Sequence, residues 1–136
     1  MNRKAVLSGK IVSGAGEAAF FTQLDWVQKQ CAEKLNFTPY HGTLNIEVDE
    51  GSLYLLEELQ KGEGIELLSP DPTFCNARSL KASLGKVAGA IIIPAKDVQI
   101  HGNNTLEMIA PVSVKEALSL QDGDIVTVVV ELFLPN

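Results

Sequence analysis

The sequence predicts a mainly β fold closed into a small barrel, and three observations predict it. Six or seven short apolar or alternating segments recur along the 136 residues, each bounded by Gly, Pro or Asp turn signals. Only one segment carries its apolar residues at clear helical spacing. Strands and helices do not alternate as a doubly wound parallel sheet requires. Closure is then the arrangement that leaves so many short strands without an exposed edge.

The first strand is predicted over Ala5 to Ser13, where β-branched and apolar residues alternate until Gly14-Ala15-Gly16 turns the chain. Trp26, Val27, Cys31 and Leu35 then recur at helical spacing, which predicts the main helix over Asp25 to Leu35, with Asp25 as N-cap and Asn36 as stop. A strand over Thr43 to Val48 runs into the turn Asp49-Glu50-Gly51, and residues 52 to 60 read as a short helix. Gly62, Gly64, Pro70 and Pro72 make the middle a loop around one short strand at Ile65 to Leu68. Strands follow at about 73 to 84 and 87 to 93, the second stopped by Pro94. A strand from Thr105 to Ile109 precedes Pro111, Ser113 caps a short helix to Leu118, and Asp122-Gly123 turns into a last strand from Ile125 to Phe133.

Composition narrows the function classes. Hydrophobic residues make up 46% and charged residues 21%, the balance of a folded globular domain. A chain of this length buries roughly 68–70% of its unfolded surface, enough for one real core. The net charge of −6 disfavours a general binder of nucleic acid or anionic membranes, which works by clustering Lys and Arg against phosphates. No apolar run approaches the ~20 residues of a membrane helix, and the first ten residues hold too short an apolar stretch for a secretory signal. A cytoplasmic protein is expected. Cys31 and Cys75 form no CxxC pair and read as buried thiols acting as small apolar side chains. His41 and His101 have no ligand-spaced neighbours, and no GxSxG signature is present.

Four places carry chemistry if they carry anything. Gly14 and Gly16, with the amides that follow, form either a plain turn or an anion-binding concavity. The stretch is neither a P-loop nor a full GxGxxG fingerprint, because position 19 is Ala. Glu17 is a solvated turn residue or a group that orients a ligand hydroxyl. In GTLN, Thr43 and Asn45 are two residues apart, which on a strand sends both side chains to one face. They are solvent-facing neighbours of a turn or two neutral oxygen ligands of the kind Mg²⁺ accepts. Glu107, a lone carboxylate in an apolar strand, is a solvent-side position or a hydrogen-bonding group at a barrel mouth. Lys115 is a surface lysine or a phosphate contact near a helix N-terminus.

The segments GKIVSGAGEA, NFTPYHGTLN, GAIIIP, LEMIAP and LQDGDIV stand in this order. Together they resemble the CTP-dependent riboflavin kinase family over nearly the whole chain, from Gly9 to Val130. The resemblance implies a single domain with a six-stranded Greek-key barrel of the cradle-loop type. It implies transfer of the γ-phosphoryl group of CTP to the 5′-hydroxyl of riboflavin, with one Mg²⁺. By position, Ala15, Gly16, Glu17, Ala18, Ala19 and Phe20 match the loop that wraps the nucleotide, and Val112, Ser113, Val114 and Lys115 its second nucleotide segment. Thr43 and Asn45 match the metal ligands. Glu107 matches the carboxylate that contacts the flavin and is the leading candidate for a catalytic role. Two departures stand out: Ala18 and Ala19 follow Glu17 where the family has Gly and a larger residue, and Asp97 occupies the place nearest a flavin-contacting Thr. The partners implied are small molecules, with no nucleic acid or membrane. A non-catalytic nucleotide- or flavin-binding barrel and a swapped-hairpin DNA-binding regulator are the competing readings. The oligomeric state is left open.

Overall fold

The computed structural model describes residues 3–13, 22–70, 76–94 and 104–132, and among them seven antiparallel strands and three main helices are laid out. The order is β1 (Lys4–Val12), α1 (Asp25–Lys34), β2 (Leu44–Val48), α2 (Leu53–Lys61), β3 (Ile65–Leu67), β4 (Ala77–Leu84), β5 (Val87–Pro94), β6 (Thr105–Ile109), α3 (Val114–Leu118) and β7 (Ile125–Glu131). The strands pair in the order β3-β4-β5-β6-β2-β1-β7, and β7 returns to pair with β4. Six strands therefore form a closed ring, with β3 added outside it. β3 and β7 share one edge of β4, β3 along Ala77 to Ser79 and β7 at Ala82 and Ser83.

Alternation decides what fills the ring. In β1, Ala5, Leu7 and Ile11 are buried while Lys4, Val6 and Lys10 are exposed, the period-2 pattern of a strand with one face on a core. Leu44, Ile46 and Val48 of β2, Leu106 and Met108 of β6 and Val126, Val128 and Val130 of β7 join the same interior cluster. Helix α2 adds Leu56 and Leu59 to it, and α3 adds Val114. The guanidinium of Arg78 donates to the Gly62 and Gln60 carbonyls, the latter at 2.8 Å, so a cation satisfies acceptors left open at the end of α2. A second cluster lies outside the barrel. Val27 and Cys31 from α1, with its C-cap Leu35, pack against Leu67, Ala77, Ala90 and Ile109, one residue each from β3, β4, β5 and β6.

The predicted elements are all present, with shifted ends. β2 starts at Leu44 rather than Thr43, and the strand expected from about 73 starts at Ala77. The Asp49-Glu50-Gly51 turn is a 3-10 turn over Glu50–Ser52. Asn36 does stop α1, in the left-handed region at φ 65°. Asp25 is not the N-cap: Leu24 holds that position without a side-chain bond, and Asp25 sits in the first turn. Its carboxylate still faces the positive end of the helix dipole there, which is why sequence position alone does not separate the two roles. Ser113 is the N-cap of α3, accepting from the Glu116 amide at 3.3 Å. Among the described residues no helix is long and apolar enough to cross a membrane.

Candidate functional site

Strand register gathers the candidate residues at one rim. Val12 lies opposite Asn45, Leu44 opposite Met108 and Lys10 opposite Ile125. The end of β1, the start of β2, the end of β6 and the start of β7 therefore meet. The segments that follow β1, precede β2, follow β6 and precede β7 all leave from this rim.

Asn45 is 8% exposed and stands directly across from Glu107. Because Leu44 and Ile46 point into the core, Asn45 points outward, and its cross-strand partner Glu107 shares that face. Thr43 lies one residue before the strand. Its hydroxyl oxygen is buried and has no hydrogen-bond partner among the described residues. A buried hydroxyl left unpaired costs about 1–3 kcal/mol, so this one calls for a partner. An oxygen-seeking cation would satisfy it, with the Asn45 carboxamide as the neighbouring neutral donor, and that donor chemistry fits Mg²⁺. Among the described residues no three His, Cys, Asp or Glu side chains gather to hold a metal.

Thr43 also lines a recess of about 120 Å³ with His41, Met108, Ser113, Val114 and Lys115. The structure thus brings Thr43 together with the segment 112–115, whereas Asn45 and Glu107 sit beside the recess on the outer face. Within the segment the side chains differ. Val112 is exposed, and Val114 is a core residue at 5% exposure, so a ligand meets its backbone at most. The Ser113 hydroxyl is engaged as a cap. His41 is exposed, its ring 5.7 Å from that of Tyr40. The recess is roomy enough for a phosphoryl group and an ion but smaller than the roughly 300 Å³ at which small-molecule pockets begin.

Lys115 is held in place. Its ammonium lies 2.6 Å from Asp122 Oδ1, and the Ser13 hydroxyl donates to Asp122 Oδ2 at 2.5 Å. One carboxylate thereby ties the segment after β6 to the residue that follows β1. The hydrogen bonds from Lys115 and then Ser13 hold the Asp122 carboxyl below its ordinary value of 3.8. A carboxyl lowered on folding gives a tie that is complete above its unfolded value and is lost as pH falls through the lower folded one. Lys115→Met is expected to move the Asp122 titration back up toward the ordinary value, read by carboxyl carbon NMR; an unmoved titration would contradict the tie.

Several expectations fall outside the described residues: the loop Ala15 to Phe20, Asp97, Cys75 and His101. Cys31 is buried, and burial pushes its thiol up to about 11, as an inert apolar side chain requires. Sequence reasoning missed Asp122 as the partner of Lys115 and Ser13 as the second partner of that carboxylate. The turn LQDGD was legible and lies seven residues from Lys115, but the Ser13 contact joins positions 109 apart and depends on the fold.

A family model named CTP-dep_RFKase, described as a domain of unknown function, DUF120, matches residues 11–130. A riboflavin kinase of Pyrobaculum aerophilum is 38% identical over 129 residues, covering 90% of this chain and 59% of that protein. One of Archaeoglobus fulgidus is 35% identical, covering 93% and 54%. The chain thus spans little more than half the length of these two. A riboflavin kinase of Methanobrevibacter smithii is 37% identical over 123 residues, covering 90% of this chain and 97% of that protein. With the match extending from the first strand to the last and the motif residues assembled at one rim, the chain belongs to the CTP-dependent riboflavin kinase family.

Proposed function

We propose that this protein is a CTP-dependent riboflavin kinase that transfers the γ-phosphoryl group of CTP to the 5′-hydroxyl of riboflavin, giving FMN and CDP. The observation that carries the reading is the unpartnered buried hydroxyl of Thr43, in a phosphoryl-sized recess with Lys115 and beside the Asn45–Glu107 pair. The names of the relatives support the acceptor, and the family's name supports CTP as donor.

Phosphoryl transfer needs positioning and charge neutralisation more than covalent help from the protein. In this reading Thr43 Oγ1 and the Asn45 carboxamide oxygen would hold one Mg²⁺. Two neutral ligands would leave its charge available to neutralise the phosphoryl oxygens. Lys115 places a second cation at the recess, able to turn from Asp122 toward a phosphate. Glu107, on the same face as Asn45, orients the riboflavin hydroxyl. The 5′-oxygen forms its bond to the γ-phosphorus as the bond to the β–γ bridging oxygen breaks; CDP leaves with that electron pair on its β-phosphate, and the hydroxyl proton is released to solvent water. By their positions in the family motifs, the segment Ala15 to Phe20 is assigned to the nucleotide and Asp97 to the flavin.

Incubating the chain with riboflavin, Mg²⁺ and each nucleoside triphosphate in turn, with FMN followed by chromatography and fluorescence, tests this directly. FMN is expected with CTP. If no triphosphate yields FMN while CTP still binds calorimetrically, the kinase reading fails and the protein is a binding module.

A further inference from the structure

Gly42, the residue before Thr43, is held by an unusual partner. Its amide donates to the hydroxyl oxygen of Thr22 at 2.9 Å, and Thr22 is fully buried. The Thr22 carbonyl in turn accepts from the Gln28 side-chain amide at 2.5 Å, and the same Gln28 nitrogen donates to the Pro39 carbonyl at 3.1 Å. The Tyr40 amide is bound to the Ala110 carbonyl at 2.8 Å. The segment leading to Thr43 is therefore fixed at three successive points, by α1 at Pro39, by the end of β6 at Tyr40 and by Thr22 at Gly42.

Gly42 has φ +96°, a conformation L side chains rarely adopt, and a Cβ placed there would meet nothing within 4 Å. Backbone conformation, not crowding, thus calls for glycine at this position. A glycine with open space beside it is free to relax unless something holds its peptide plane, and the Thr22 hydroxyl is the group that does so. The bond holds the His41–Gly42 peptide, the anchored side from which the left-handed Gly42 backbone leads into Thr43 and its unpartnered hydroxyl.

We propose that Thr22 is a positioning residue for the metal-bearing turn: its buried hydroxyl fixes the Gly42 peptide and so aims Thr43 Oγ1 at the cation site. This deepens the reading of Thr43 as a Mg²⁺ ligand and rests on it. It also gives that turn a direct tie to the residues just beyond the proposed nucleotide loop, independent of the Ser13–Asp122–Lys115 tie before it.

The test compares Thr22→Val, which keeps the shape and removes the hydroxyl, with Thr22→Ser, which keeps the hydroxyl. In the free protein, Gly42 amide exchange is expected to accelerate roughly tenfold in Thr22→Val, the loss of one hydrogen bond. The gain in CTP affinity on replacing EDTA by Mg²⁺, measured by calorimetry, is expected to shrink on the order of tenfold. Affinity for riboflavin alone should stay unchanged, and Thr22→Ser should restore both altered readouts. A merely structural role would lower Tm without changing the Mg²⁺ dependence, and that result overturns the proposal, as does unchanged Gly42 exchange. If Thr22→Val does not fold, Thr22→Ala removes the same hydroxyl bond to the Gly42 amide without a β-branched side chain, and an unaltered Mg²⁺ dependence there overturns the proposal equally. A wild-type chain whose CTP affinity ignores Mg²⁺ overturns the metal reading of Thr43 and this proposal with it; the exchange measurement, made without ligand, tells the two failures apart.

Discussion

Asn45→Ala is expected to lower the turnover of FMN formation roughly 100-fold at saturating substrates, while Tm falls by no more than about 4 °C. The asymmetry follows from where the side chain sits. Asn45 faces outward from β2, opposite Glu107, while the apolar contacts of that strand come from Leu44, Ile46 and Val48 on the other face. The backbone ladder to Val12 and Glu107 does not need the carboxamide. What the substitution removes is one of two neutral oxygens proposed for the ion, at a site where precise placement of the phosphoryl group supplies most of the catalysis. Steady-state kinetics across a Mg²⁺ titration, beside a thermal melt, checks both halves. Wild-type turnover in the variant would remove Asn45 from the metal site.

Gly9→Ala should have the opposite signature, a large loss of stability that comes from the barrel itself. Gly9 is the inward residue of β1 between Leu7 and Ile11, paired to Val48 on one side and Val126 on the other. A Cβ at that position would overlap the Glu47 carbonyl oxygen and lie 2.7 Å from Ile46 Cγ2. The first obstacle is backbone and cannot rotate aside, so β1 and β2 would have to separate. Overpacking of this kind costs roughly 3 kcal/mol, which for a chain of this size lowers Tm by about 10 °C. Denaturant melts would show it as a lowered midpoint. A change under about 0.5 kcal/mol would mean that the two strands yield far more easily than a packed barrel should.

How much of this was legible in the sequence depends on the range of the interaction that decides it. The helix stop at Asn36, the cap at Ser113 and the inward alternation of β1 and β2 are set by neighbours within a few residues, and the sequence displays them. The closing pairs Ala82 with Val130 and Ser83 with Val129 join strands nearly fifty residues apart, and nothing in either strand names the other. The same holds for the site. GTLN advertises two neutral oxygens, but the unpartnered state of Thr43 is a property of its burial. Thr22 looks like an ordinary polar residue ahead of a helix until the fold sets it against Gly42. Gly16 and Glu17 were legible from turn chemistry as one of two readings, whereas Ala15, Ala18 to Phe20 and Asp97 were reached through family motifs.

The pairing of β1 with β7 along Lys4 to Lys10 has a consequence for how the chain is made. The first strand gains its longest-range neighbour only when the last has been synthesised, so the ring cannot close on the ribosome while β7 is still in the exit tunnel. Until then one side of β1 and the Ala82–Ser83 stretch of β4 are open edges, and apolar surface meant for the interior has no cover. Long-range pairing of this kind also makes closure slow. Chaperone dependence during synthesis, rather than fragility once folded, is where this architecture would make itself felt.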